Sequence, residues 1–388
     1  MTPDLAAQLT QYLQARKDEM VELLDRLVRA ESPSGNPALL AANLDIIGSL
    51  LVDEGYRVRR SRGKRGGGNL LGVPRGRRRG APVQILVGHC DTVWPSGTAD
   101  RMDAGVRNGA YHGPGAFDMK AGLVQGLFAL RALREVGAMP FVTPVVFVDS
   151  DEETGSEEAK NHLRLLARAA DRVLVLEPAL GSSGKLKTAR KGGGGFRLTV
   201  RGRPAHSGMD PEKGASAILA LAGIITRLHA LNDLANGISV NVGTVQAGTR
   251  PNVVAAEAIA EADFRALTAD DLRSVERRIV EVQPDVEGTS VIYEGGIGHW
   301  PLERDEGVQR LWALAQQASE SLGLEIEEAT SGGASDGNTT AMFAPTLDGL
   351  GPVGDGAHAD HEHVIVDRIP ERAALLAMLL VAPPLGEL

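Results

Sequence analysis

The chain has 388 residues, too many for one ordinary core and enough for two domains. Hydrophobic residues make up 43% and charged residues 23%, the balance of a soluble globular protein, and a net charge of -9 argues against nucleic acid as a partner. No apolar run reaches ~18 residues, which excludes a spanning helix on length; no secretory signal is evident near the N-terminus, so no membrane and a cytoplasmic address are expected.

Apolar residues recur at helical spacing over residues 3–30 and 37–54, with the turn cluster Glu31-Ser-Pro-Ser-Gly-Asn between them. Short strands are predicted at 56–58, 69–73 and 83–87; the last is continuously apolar, as expected of a buried central strand. Arg60, Arg62, Arg65, Arg75, Arg77, Arg78 and Arg79 fall in a Gly-rich stretch ahead of it and read as a solvated hairpin tip. A helix over 121–136, an apolar run at 143–148, a helix over 156–169 and a strand at 172–176 follow. This alternation is that of an α/β domain with a largely parallel sheet. Beyond Glu177 the texture changes: glycine-rich segments at 181–184 and 191–195 precede a strand at 196–201, a helix over 214–231 and strands at 238–245, 257–265 and 289–293. We read this as an inserted α+β module, giving domains 1–188, 189–300 and 301–388, the last two parts of the chain divided where helical spacing resumes before a closing helix at 369–381.

Four acids and a histidine follow directly on apolar runs: His89 and Asp91, then Glu152 and Glu153, then Glu177. In open α/β sheets the crevice beyond the carboxyl ends of the strands is where ligands bind, so these positions should converge. Two residues apart on an extended chain, His89 and Asp91 face one side, and the aspartate can orient the imidazole as a metal ligand. Cys90 between them faces away and reads as a small buried hydrophobe; as the only cysteine it forms no internal disulfide, which fits a reducing compartment. Asp118, in the loop opening the helix near Lys120, has two oxygens and can bridge two cations. Glu152 and Glu153 taken alone could be surface charge. Gathered with the other acids they would repel severely unless cations neutralised them, which points to a binuclear centre. Imidazole with carboxylates and no cysteine cluster suits zinc, cobalt or manganese. Two ions ~3.5–4 Å apart would share a hydroxide of pKa near ~7, and one glutamate must stay free of metal as general base.

The segments His89-Cys-Asp-Thr-Val, Gly113-Pro-Gly-Ala-Phe-Asp-Met-Lys-Ala-Gly, Asp151-Glu-Glu-Thr-Gly, Leu176-Glu-Pro, Ala205-His-Ser-Gly and Gly356-Ala-His resemble, in this order, peptidase family M20, and its glutamate carboxypeptidase branch in particular. The resemblance spans roughly residues 20–375. It implies a phosphorylase/hydrolase-like α/β catalytic domain of a dizinc exopeptidase with an inserted ferredoxin-like lid or dimerisation domain. It also implies two zinc ions per subunit: His89 and Glu177 on one, Glu153 and His358 on the other, Asp118 bridging, Asp91 orienting and Glu152 as general base. The Asp118–Met119 peptide would be cis. His206 would reach the active site of a neighbouring subunit in a homodimer to stabilise the oxyanion. Asn252 and Arg265 would contact substrate, the arginine as a carboxylate clamp, and Gly333, with the neighbouring glycine, would present backbone N–H groups. The reaction implied is metal-dependent hydrolysis of a peptide or N-acyl amino acid, releasing a C-terminal amino acid such as glutamate. An N-acyl-amino-acid deacylase of the acetylornithine deacetylase or aminoacylase kind is the alternative. A non-catalytic metal- or peptide-binding relative is disfavoured, since the base and all five ligand positions are present. Ala255 departs from the family's usual proline. Of His358, His361 and His363, His358 is preferred because it follows Gly-Ala and keeps its distance to Ile369-Pro370, with His361 in reserve. His112 reads as a rim histidine, His162, His229 and His299 as ordinary residues, and Lys120 and Arg190 as structural charges.

Overall fold

The computed structural model describes residues 2–78 and 80–387, so Arg79 of the arginine run lies outside the described residues. Two compact units emerge: one comprises the chain up to Thr188, Arg304–Ser331 and the chain from Ser335 onward, the other Ala189–Glu303 with Gly332–Ala334.

The first unit is built on a six-stranded sheet in the spatial order Tyr56–Ser61, Asn69–Pro74, Thr143–Asp149, Val83–His89, Ala170–Val175, Thr346–Leu347. The first two strands run antiparallel to their neighbours and the remaining four are mutually parallel. Val83–His89 lies at the centre and is buried at every position, which is why its sequence is apolar without alternation. Its side chains still alternate in space. Leu86 joins a core with Val146, Leu174 and the helices Pro3–Gln14, Lys17–Arg29, Ala121–Glu135 and Arg368–Leu380; Ile85 and Val87 join Phe147, Val173 and Val175 in a second core beneath the helix Lys160–Ala167.

One long helix was expected over 3–30; the structure has two, separated at Ala15 and Arg16. Arg16 leaves helical geometry (φ -116°, ψ 18°) and lays its guanidinium 3.7 Å from the Tyr12 ring, and each helix buries its own stripe, Ala6, Leu9 and Leu13 in one and Met20, Leu24 and Leu27 in the other. The arginine run divides as well. Arg62 and Arg65 lie in the connection of the first hairpin and Arg75, Arg77 and Arg78 after it, all exposed, while Arg60 turns back onto Asp45 (2.5 Å) and the Gly67 carbonyl.

The second unit is a βαββαβ module: Gly192–Arg201, Ala217–His229, Ser239–Ala247, Glu257–Ala266, Ala269–Val280, Ser290–His299. Its four strands are antiparallel in the order Ser239–Ala247, Glu257–Ala266, Gly192–Arg201, Ser290–His299, the ferredoxin-like arrangement, with both helices buried against Phe196, Leu198, Val200, Ala260 and Phe264. The first strand begins four residues before the expected start, within the glycine run. A Cβ on Gly194 would lie 2.2 Å from the Gly296 carbonyl oxygen, so the glycines serve close backbone approach rather than turning. The helix Ala269–Val280 was not anticipated; it is capped by Thr268 and buries only Leu272, Val275 and Ile279. The unit ends at Glu303 rather than 300, because Arg190 and Leu302 exchange backbone hydrogen bonds (2.9 and 3.1 Å) and Glu303 accepts from the Ala269 N–H.

Candidate metal centre

Parallel strands place the first three contributions. Val83–His89 delivers His89, and Asp91 lies just beyond its end; Thr143–Asp149 leads into a short turn bearing Glu152 and Glu153; Ala170–Val175 leads to Glu177. The Asp91 carboxylate accepts from the backbone N–H groups of both Glu152 and Glu153 (3.2 Å each) and from the Ser34 hydroxyl (2.9 Å). His89 Nδ1 lies 3.0 Å from the Asp91 carbonyl oxygen and 3.4 Å from its carboxylate. With Nδ1 donating there, Nε2 presents a lone pair, and it faces Asp118 Oδ1 at 3.3 Å and Glu177 Oε1 at 3.5 Å.

Asp118 sits in an irregular turn between Gly115 and the helix Ala121–Glu135, with a cis peptide to Met119. Its other oxygen, Oδ2, lies 3.6 Å from Nε2 of His358, and that nitrogen is 3.1 Å from the Glu153 carboxylate. One carboxylate therefore faces two imidazoles, one on each oxygen. Among the described residues, two groups could each hold an ion: His89, Glu152 and Glu177, and His89, Asp118 and Glu153, with ligand atoms within 4.8 Å of one another. Close packing sets the spacing at Glu177. Gly122 in the helix and Gly351 in a later loop both lie against the Leu176 carbonyl, where a Cβ on either would come within 2.1 Å of the oxygen; Gly351 also donates to the Glu177 carbonyl (2.9 Å). The buried Arg372 guanidinium holds that loop by donating to the carbonyls of Gly349, Gly351 and Gly184. Each carbonyl left unpartnered there would cost about 1–3 kcal/mol.

So many buried acids cannot all ionise. Burial, then the neighbouring Glu177, Asp336 and Glu153 carboxylates, hold Glu152 well above the usual carboxylate range; burial also raises Glu153, partly relieved by His358. Burial opposes ionisation of Asp118, but the bond and charge of His89 together with the charges of Lys187 and His358 outweigh it and keep Asp118 low. Burial would lower His89, yet the facing Asp118, Asp91 and Glu177 carboxylates raise it well above its ordinary value, and the Glu153 bond lifts His358 to about 9. Beneath the turn, burial and then the neighbouring Asp336 raise Asp149 well above its ordinary value, and burial also raises Asp336, partly relieved by the Ser156 hydroxyl at 2.6 Å and by its bond with Asp149.

The other expectations fall outside this cluster. Cys90 is fully buried, and burial pushes its thiol pKa up, the opposite of an activated nucleophile. His361 is exposed, and His363 pairs with His112 across two short strands, rings 5.3 Å apart. His162 stacks on Phe147 and meets Asn69. Lys120 is buried and donates to the Leu27 carbonyl. In the second unit His206 and Asn252 are exposed. Arg265 is held by Asp263 (3.0 Å) and the Gly332 carbonyl (2.7 Å), and Arg190 donates to the carbonyls of Gly333 and Ala334. Sequence reasoning passed over Glu362, whose buried carboxylate accepts from the backbone N–H groups of Gly115, Phe117 and Asp118 and from the Trp94 indole. Its partners are backbone groups some 240 positions upstream, so no motif could reveal it; its place four residues after His358 was the only signal.

Residues 85–382 match the peptidase family M20/M25/M40. The chain is 28% identical over 383 residues to carboxypeptidase G2 of Pseudomonas sp. strain RS-16, covering 95% of this chain and 91% of that protein. It is 30% identical over 319 residues to a succinyl-diaminopimelate desuccinylase of Bordetella pertussis, 77% of this chain and 82% of the relative. Among solved structures, aminopeptidase PepT of Bacillus cereus superposes with a TM-score of 0.80 at 22% identity, covering 94% of this chain and 98% of that one. A likeness of that identity speaks to the fold, whereas the family match covers most of the chain. The protein therefore belongs to peptidase family M20/M25/M40, and is an enzyme that hydrolyses peptide or related amide bonds in a metal-dependent reaction.

Proposed function

We propose that this centre holds two divalent cations, zinc by preference, and cleaves an amide bond next to a free carboxylate, releasing a C-terminal amino acid such as glutamate. The observation that carries the reading is Asp118, whose two oxygens face different imidazole Nε2 atoms at 3.3 and 3.6 Å. The donor set fits: imidazole nitrogens and carboxylate oxygens without thiolate are ligands for borderline divalent ions, and the acids whose pKa burial raises would ionise more readily beside cations. His89 and Glu177 would hold one ion and Glu153 and His358 the other, with Asp118 shared. When bound, the pair would polarise the scissile carbonyl and acidify water. Glu152, reached by burial and by a raised pKa, would take the proton from attacking water and pass it to the leaving nitrogen. Asp91 keeps the His89 Nε2 lone pair available by accepting at Nδ1 and fixes the Glu152-Glu153 turn.

The second unit would supply the rest. His206 Nδ1 accepts from the N–H groups of Gly208 and Met209 (3.1 and 3.2 Å), which leaves the proton on Nε2 as a donor suited to an oxyanion. We assign it to the active site of a second copy in a homodimer formed through this module, whose edge strand Ser239–Ala247 exposes Val245. Arg265 would clamp the substrate carboxylate with Asn252 and the Gly333 backbone nearby. The carboxypeptidase relative supports release of a C-terminal residue; the desuccinylase supports N-acyl-amino-acid deacylation as the alternative. Rates on dipeptides and N-acyl amino acids ending in glutamate should exceed those on acetylornithine-type substrates, and should fall at least ~10-fold when the glutamate α-carboxylate is amidated. Equal rates on free and amidated forms would rule out recognition of the carboxylate.

A further inference from the structure

We propose that Glu362 is the positioning residue that assembles the centre, a buried carboxylate on which the segments bearing three of its ligands close. Glu362 is 0% exposed. Four N–H donors converge on its two oxygens: Phe117 and Asp118 on Oε1 (2.9 and 3.0 Å), and Gly115 and the Trp94 indole on Oε2 (3.0 and 2.7 Å). The Gly113 N–H donates to its carbonyl (3.3 Å), so the backbone is joined as well as the side chain. The contacts join three ligand-bearing segments. Trp94 follows His89 and Asp91 by a few residues, Gly115–Asp118 is the turn that presents the shared carboxylate, and Glu362 itself comes four residues after His358.

The position of His358 makes this anchor necessary. Its side chain is 50% exposed and its φ is +61°, in a loop with little packing of its own. Asp118, in turn, lies in a stretch whose backbone is neither helix nor strand, with φ -113° and ψ 96°. A loop without regular hydrogen bonding needs some other acceptor for its buried N–H groups, and Glu362 provides it for three of them. The chemistry demanded is strict. All four partners are donors, so the group must accept on both oxygens, which an ionised carboxylate does and an amide cannot. Glutamine could satisfy the two donors on one oxygen but would set its own NH2 against Gly115 and Trp94. Burial raises the Glu362 pKa to about 7, while the bonds from the Asp118 and Gly115 N–H groups and from the Trp94 indole work against that rise.

This inference rests on the metal-centre reading above. The test uses the full-length protein, with zinc content per chain measured after dialysis against buffered free zinc at neutral pH, alongside kcat, KM and far-UV circular dichroism. The parent should bind two ions. Glu362→Gln should keep the parent's circular dichroism, hold fewer than two ions at a free zinc concentration that saturates the parent, and lose at least ~10-fold in kcat with KM within a few-fold, in line with what supporting partners of metal ligands contribute. Glu362→Asp, which keeps the charge and the acceptor-only character, should recover part of the occupancy lost in Glu362→Gln. Should the glutamine variant not fold, Trp94→Phe removes one donor and keeps an aromatic ring, and it should release zinc to a chelator several-fold faster than the parent. A parent with two ions and a folded Glu362→Gln that holds both with unchanged kcat overturns the role of Glu362 alone, as does an unchanged release rate in Trp94→Phe where that variant is needed. A parent that binds fewer than two ions overturns the metal-centre reading itself, and this inference with it.

Discussion

In the first unit His89 and Asp91 are enclosed and each meets several polar partners, whereas in the second unit His206 and Asn252 stand in solvent and Arg265 is held by Asp263 and Gly332. The first set followed from residues placed at strand ends, the second from the family resemblance alone. The scaffold spends its order on the first: strand ends, a buried aspartate under the Glu152-Glu153 turn and an arginine beneath the Glu177 loop fix positions before any ligand arrives. In the function proposed above, the second set would gain its geometry from substrate or from another copy of the chain. Preorganised groups should govern the chemical step and the ions, and exposed groups should act only in the assembled complex.

The largest effect expected is at the heart of the buried set. Glu152→Ala should retain fold and metal while kcat falls by ~10²–10⁴, the range for loss of a general base; turnover near the parent's level would remove Glu152 from proton transfer. His206→Ala probes the exposed set. As an oxyanion donor it should cost ~10²–10³ in kcat while leaving zinc content and thermal stability untouched, and a variant with full activity would leave the second unit without a chemical part. Asp91→Asn keeps the shape but weakens the acceptor for the Glu152 and Glu153 N–H groups and for His89. Zinc affinity, measured by chelator competition, should drop by ~10–100-fold; an unchanged affinity would mean that the backbone alone orients the imidazole.

The smallest effect is a pH dependence. His358 must be neutral to bind a cation, and its pKa without metal is raised from 6.5 to about 9 by Glu153, so at any pH below about 9 a proton has to be displaced on binding. Glu153, itself raised by burial, acts in the same direction. Apparent zinc affinity should therefore rise with pH from 6.5, by up to ~10-fold per unit for each proton displaced, and level off above about 9. A flat profile in isothermal titration would take His358 out of the ligand set.

What could be read from the sequence depended on where the information resides. The apolar run before His89 specifies a buried parallel strand, and the acids after each run specify one end of the sheet, so the cluster follows from short-range pattern and topology. The second hairpin strand, the inserted α+β module and the closing helix were legible for the same reason. The break at Ala15–Arg16 was not, because the helical spacing continues across it and the bend serves packing on both sides. Gly192–Gly195 misled because glycine is poor in strands on average, while here the partner backbone approaches too closely for any side chain. The helix Ala269–Val280 escaped because three buried positions amid charges make a narrow stripe. Glu362 escaped because a carboxylate that bonds to distant backbone has no spelling.

The glycines against Leu176 carry a consequence of a different kind. Neither Gly122 nor Gly351 has a functional group, yet a methyl on either would press on the peptide that precedes Glu177. In a saturation-mutagenesis map of this enzyme both positions should therefore look as intolerant as the acids, and an alanine there, conservative by any substitution table, would register as a metal defect. Sensitivity to mutation at this centre is in part a record of atoms that must be missing.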